Sequence, residues 1–529
     1  MEQILDLYGF LAVLLRALAL AFESLTVGGV LFLFLILRSE DGCRRLLRWG
    51  ALLLALVVAL SATLNALVLR SSGGDLEWSA VLNTGFVGSA CVVVVSALLI
   101  SEFASRGRVA LLLVPAGLVI AGSVITSHAF ARMDGRALAM AATALHHLAA
   151  AAWIGGLPYL VITLVRADEA TLSVAARRFS RMAVASVLTL VGAGLVMAWI
   201  YVGSGAALYG TSYGVMLMAK VVLLGMLLVL GGSNFLLLRQ QTRISVSSWL
   251  RMRRSIEVEV AIGVTAILTA ASLTSQPPAR DLVEGRVSMQ EIRERFTPRL
   301  PRLATPPLSA LAPATPLNEE ESKRFGMPLS YVPGATYNRS KPADIEWSEY
   351  NHNWAGLCVL IMGLLAVIAQ TRFGHWARHW PLGFMGLALF LLIRADSENW
   401  PLGPRGFWES FQVAEVTQHR LFVVLIVLFA LFEWRVAQNT AGRAWYRLVF
   451  PGVCLAGGAL LLTHTHPLGN IKEELLAEIS HTSIALLAVT AGAARWLELR
   501  APRRHPALGF LWAFCFVGIG LMLTFYRES

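Results

Sequence analysis

Fourteen mostly apolar stretches, most of them about 20 residues long, recur along this 529-residue chain, and they constrain its fold more than any other feature. A helix rises about 1.5 Å per residue and the hydrocarbon core of a bilayer is about 30 Å thick, so a stretch of that length crosses a membrane. Eight lie at about 8–37, 47–69, 79–101, 109–127, 138–165, 180–202, 213–238 and 255–275. Six more lie at about 353–371, 380–394, 413–434, 446–463, 474–495 and 507–526. The pattern predicts an all-α polytopic membrane protein with about 14 transmembrane helices in an 8 + 6 arrangement. The window 380–394 is short and begins at Trp380-Pro381, so it also fits a re-entrant segment. The first window lacks a basic leader and a small-residue cleavage site, and reads as a retained span.

Composition agrees. The chain is 56% hydrophobic and 15% charged, against about a quarter charged in soluble proteins. A secreted disulfide scaffold, a coiled coil and a nucleic-acid binder are excluded, although the formal charge is +11. That charge reports orientation, because Lys and Arg are retained in cytoplasmic loops. One set of loops carries 24 basic residues, among them Arg44, Arg45, Arg178, Arg253 and Arg447. The opposite short loops carry eight, among them Arg132, Arg405 and Lys472. Both halves give the same assignment, with both termini outside.

Three regions follow: a membrane domain over 1–275, a linker over 276–350 and a second membrane domain over 351–529. The linker holds 11 of the 20 prolines. Its first part reads as extended chain, and its later part (Tyr331, Tyr337, Trp347, Tyr350) has aromatics enough to pack on the bundle. No internal repeat relates the halves. The cysteines at 43, 91, 358, 454 and 515 form no CxxC pair and no disulfide framework.

Most of the 11 histidines fall on the outer side of this topology. In the second half, His419 begins a span, His464 and His466 end the next, and His481 begins the one after, so all four share a face. Glu478 and His481 stand three apart on a helix, the carboxylate-imidazole spacing of helix-bundle metal sites. Such a set suits copper, zinc or iron; the alternative is a solvated network of histidines and glutamates. In the first half, His128, Met133, Met140 and His146 bracket an outer mouth, with Met216 and Met218 on the same side. Thioether with imidazole is a soft set that favours Cu(I), whereas methionines also serve as packing. His146 and His147 are about 100° apart on a helix, so at most one is expected to face a given site. Arg16, Glu23 and Lys220 lie inside spans, where charge is costly and marks a functional site or a structural pair. Asn65 and Asn234 are candidates for interhelical hydrogen bonds.

The run His146-His147-Leu148-Ala149-Ala150-Ala151-Ala152-Trp153-Ile154-Gly155-Gly156-Leu157 resembles the signature of the CopD copper-resistance membrane proteins, a helix His followed seven residues later by Trp-x-Gly-Gly-Leu. Ser127-His128-Ala129, Arg178-Phe179-Ser180-Arg181, Tyr213-Gly214 and Lys220 fit the same pattern, and the resemblance extends over roughly residues 1–275. It implies an eight-helix domain of the bacterial inner membrane, with both termini periplasmic, that handles copper, often beside a periplasmic copper-binding partner. On this resemblance His128 and His146 are metal-site residues, and Trp153, Gly155 and Gly156 pack the site helix. Glu23 stands where the family would place a first-span histidine. The expected function is therefore copper uptake, transport or resistance through periplasmic-face His and Met, without enzymatic activity. Copper ion and the lipid bilayer are the expected partners. Two other readings use the same residues: a b-type haem membrane cytochrome, since bundle histidines also hold haem, and an accessory factor that delivers copper to an oxidase.

Overall fold

The computed structural model describes residues 2–37, 40–72, 76–240, 245–283, 285–307, 311, 342–394, 396, 399–403, 405–412, 414–438, 444–463, 472–500 and 506–527. The described residues form helices and no strand. Every apolar window coincides with a helix, and among the described residues twelve helices are long and apolar enough to cross a membrane. Of the other windows, 109–127 holds the shorter apolar helix Val109–Ile125, and 413–434 holds the helix Ala414–Ala437. The short window 380–394 belongs to the 19-residue candidate span Trp376–Arg394, which opens as a 3-10 turn around Pro381. The chain is a multi-pass membrane protein.

The chain divides into two units. The first is Met1–Ser288 with Ala459–Glu478 and Arg500–Pro502; the second is Met289–Gly458 with Ile479–Leu499 and Arg503–Ser529. In the first unit the main helices are α1 (Glu2–Leu35), α2 (Asp41–Ser72), α3 (Gly85–Ser105), α4 (Leu113–Ile125), α5 (Arg136–Ala150), α6 (Leu157–Arg166), α7 (Glu169–Tyr201), α8 (Ser212–Gln240) and α9 (Val246–Ser275). Helix α1 is central: it packs on α2, α4 and α9, and on the turn between α5 and α6.

That turn is a single π turn, Ala151–Gly155. Its cause is local. Pro158 lies in the first turn of α6 and has no N–H to return to the Ile154 carbonyl, so the regular ladder is interrupted there. The wider turn brings its backbone onto α1. A Cβ at Gly155 would collide with the Ser24 carbonyl, and one at Gly28 would collide with the Ala151 carbonyl and the Gly155 backbone. Tyr159, one turn on, donates to the Leu25 carbonyl at 3.0 Å and stacks on Phe32 at 5.8 Å. Further out, Tyr8 donates to Asn65 at 2.7 Å and ties α1 to α2.

The segment after α9 differs from the extended linker expected for it. Arg280 donates its backbone N–H to the Tyr201 carbonyl at 2.9 Å and Val287 to Gly210 at 3.2 Å, with Ala279 and Val287 fully buried. These contacts belong to the first unit, which therefore runs to Ser288. The second unit starts with α10 (Met289–Phe296), followed by chain in which the Arg302 N–H meets Asn353 Oδ1 at 2.6 Å and the Leu303 carbonyl accepts from Trp354. Among the described residues, the backbone N–H groups of Arg280, Val287 and Arg302 each meet an acceptor within their own unit. Of the four aromatics expected to pack, Trp347 and Tyr350 stack at 5.8 Å; Tyr331 and Tyr337 lie outside the described residues.

The remaining helices are α11 (Pro342–Ala369), α12 (Gly383–Arg394), α13 (Ala414–Ala437), α14 (Val449–Thr463), α15 (Lys472–Arg500) and α16 (Pro506–Thr524); they belong to the second unit except for the end of α14 from Ala459, the start of α15 up to Glu478, and Arg500. The core of the second unit is aromatic: Trp380 meets Phe450 and Trp512 at 5.5 Å each. All five cysteines are free.

Because the α1–π turn contact leaves no room for a side chain, Gly155→Val is expected to force the helices apart. Overpacking of this kind costs about 1–3 kcal/mol, or roughly 5 °C of apparent Tm. A thermal melt of the detergent-solubilised variant that matches wild type would contradict the packing described.

Candidate functional site

A cavity of about 1490 Å³ opens within the first unit. Its wall is mostly apolar, and the exceptions are the residues singled out above: Arg16, Glu23, His128, His146, His147 and Lys220. Trp153 and Ile154 of the π turn also line it, so the turn that packs α1 also shapes the chamber.

Glu23 is 5% exposed and is fully engaged. It accepts from His147 Nδ1 at 2.9 Å and from the Ser123 hydroxyl of α4. A carboxylate that accepts from Nδ1 fixes the ring orientation and leaves the Nε2 lone pair of His147 facing elsewhere, the arrangement that supports metal-binding histidines. The Arg16–Glu23 pair considered from their shared face does not form. Arg16 Nε donates instead to Thr274 Oγ1 at 2.8 Å, and His128 Nε2 lies 2.9 Å from the Thr274 carbonyl, so α9 closes this end of the cavity against α1 and the turn His128–Ala131.

His146 differs from its neighbours. Its Nδ1 is buried and makes no hydrogen bond of good geometry; the ring lies against Gly194 of α7 and within reach of the Leu190 backbone. Both His146 and His147 line the cavity, contrary to the expectation that only one could face a site. The cavity is broad enough to reach both sides of α5, so a 100° separation no longer divides them. Lys220 lies within electrostatic reach of His146 and forms no ion pair among the described residues.

The methionines fall differently. Met133 is 92% exposed, and neither it nor Met140 is on the cavity wall; Met216 is buried in packing. Met218 does line the cavity, as does Met197 of α7, which the sequence reading passed over. Met197 sits mid-span among apolar residues, and only the packing of α7 on α5 distinguishes it. A second omission is Glu259. It is 2% exposed and accepts from Asn234 Nδ2 at 2.6 Å, which gives Asn234 the interhelical bond expected of it. The span was placed at 255–275, which put Glu259 near a loop; the helix begins at Val246, so this carboxylate belongs to its body.

Of the cluster expected in the second half, the described residues include His419, His481 and Glu478. His419 pairs with Asp396 at 2.7 Å. The ring of His481 has His352 at 6.4 Å and Tyr526 at 6.2 Å, and His352 also hydrogen-bonds the Ser348 carbonyl at 2.8 Å through Nδ1. Glu478 is buried on α15, three residues before His481. His464 and His466 lie outside the described residues. Among the described residues no three His, Cys, Asp or Glu side chains form a group able to hold a metal ion.

Removing the Glu23 carboxylate would leave His147 and Ser123 unsatisfied in a buried setting, which costs about 1–3 kcal/mol per group. Glu23→Ala is therefore expected to melt lower than Glu23→Gln, which keeps an acceptor for one of them. Equal melting temperatures would mean that these bonds do not hold α1 to α4 and α5.

Residues 173–273 match the family described as Copper resistance protein D. The copper transport protein CutJ of Bacillus subtilis (strain 168) is 34% identical over 165 residues, which is 30% of this chain and 29% of that protein. No solved structure matches the chain significantly. The family match covers α7, α8 and most of α9, the helices that bring Met197, Met218 and Lys220 to the cavity. Residues 173–273, within the first unit, are thus similar to the copper resistance protein D family, and the chain spans less than a third of the length of the Bacillus protein it matches.

Proposed function

We propose that this chain is a copper-handling protein of the bacterial inner membrane, which takes copper from the outer face into the cavity of the first unit and performs no catalysis. The observation that carries this reading is the buried, unpartnered Nδ1 of His146 on the same wall as His147, whose ring is held by Glu23. An unsatisfied buried imidazole nitrogen calls for a partner, and imidazole with thioether suits copper. Met197 and Met218 supply the thioethers. The family match and the printed name of the Bacillus relative support copper over other soft cations.

The proposal includes the full 8 + 6 set of spans with both termini periplasmic, as the distribution of Lys and Arg requires. On that topology the ring of His128 stands at the outer mouth and His146 and His147 lie about two turns in, a stepwise approach from periplasm to chamber. Few ligands at each step suit an ion that must leave again, which distinguishes a transport or resistance role from a storage site.

Equilibrium dialysis of the purified protein against copper tests the reading. His146→Ala is expected to weaken copper binding at least tenfold, with a smaller loss for His128→Ala. Unchanged stoichiometry and affinity in His146→Ala would overturn it.

A further inference from the structure

The charges of the cavity do not match a bare copper cation. Two cationic side chains, Arg16 and Lys220, face one carboxylate, Glu23, and that carboxylate is already committed to His147 and Ser123. Arg16 spends only Nε, on Thr274; its other guanidinium nitrogens have no acceptor among the described residues. Lys220 has no carboxylate partner there either, and it lines the same cavity as His146, the proposed copper ligand, within electrostatic reach of it. Like charges in a low-dielectric wall repel strongly, so a free cation approaching His146 meets an opposing ammonium group.

Size raises the same difficulty. At about 30 Å³ per water, a copper ion with about six waters needs roughly 200 Å³, whereas the cavity has about 1490 Å³. Its wall is largely apolar, with polar groups at a few separated points. That is the layout of a site for an organic molecule, oriented by a few polar groups.

We propose that this cavity takes copper as a small carboxylate-bearing chelate rather than as a bare ion, an inference that rests on the copper reading above. The chelator's carboxylate is received by the free guanidinium edge of Arg16 or by the Lys220 ammonium, both able to make charge-assisted hydrogen bonds. The copper presents an open position to His146. The opposing cations then become part of recognition, and the apolar wall covers the carbon frame of the chelator. Relative to such a chelate, bare copper is bound more weakly because of the same two side chains.

The test uses the full chain in nanodiscs with two copper(II) complexes of similar size: bis(histidinate), which carries carboxylates, and bis(ethylenediamine), which is cationic. Titration calorimetry is expected to show the histidinate complex binding at least tenfold tighter. Lys220→Met should erase most of that preference and Lys220→Arg should retain it; Arg16→Gln serves as a second variant should Lys220→Met fail to fold. Equal affinity for both complexes, or a preference that survives in both neutral variants, would overturn the inference while leaving copper binding at His146 intact. If dialysis finds no copper retained in any form, the copper reading fails and the inference fails with it.

Discussion

The close approach of α1 to the π turn Ala151–Gly155 is the contact on which the first unit depends. With no side chain between Gly28 and Gly155, the two backbones lie near enough for Tyr159 to bond the Leu25 carbonyl and for Glu23 to meet His147. A side chain of even one methyl group would move α1 outward and separate that carboxylate from its imidazole. The Trp-Ile-Gly-Gly-Leu-Pro run thus does two things. Its proline opens the π turn, and its glycines let the turn be occupied by a neighbouring helix.

From this contact the polar arrangement follows. A carboxylate at membrane depth is costly unless it is paired, and Glu23 is paired with a histidine and a serine instead of with the arginine on its own helix. Arg16 and Lys220 are left facing the chamber. A structure that only needed to neutralise its buried charges would have joined Arg16 to Glu23. Keeping them apart leaves cations available to a ligand while one histidine is oriented and another, His146, is left open. In the second unit, by contrast, His419 pairs with Asp396 and Arg495 with Glu498.

Much of this was legible in the sequence. Apolar windows predict helices because lipid offers the backbone no other partner, and each window coincides with one. His128, His146, His147, Glu23 and Lys220 were recognisable as polar groups in apolar surroundings, and all five line one cavity. Position along a helix did not reveal direction around it. Met133 and Met140 share the outer end of the unit with His128 yet point away from the chamber, whereas Met197 points in. Tertiary pairing was also hidden: the ring of His352 stands 6.4 Å from that of His481, a neighbour that sequence order does not reveal. Glu259 is hidden for a simpler reason: it stands near the start of the apolar window 255–275 and reads as interfacial, whereas the helix begins at Val246 and places it well inside. Proline content likewise predicted free chain after α9, where among the described residues the backbone N–H groups of Arg280, Val287 and Arg302 tie it to the helices of their own units.

The central claim is that copper is bound in the first unit, at the unpartnered nitrogen of His146. Diffraction from copper-loaded crystals, recorded on both sides of the copper absorption edge, tests it most directly. The predicted result is an anomalous peak within bonding distance of the His146 ring, inside the cavity between α5 and α7. A peak elsewhere, at the second unit's histidines or at a cysteine, with none beside His146, would contradict it.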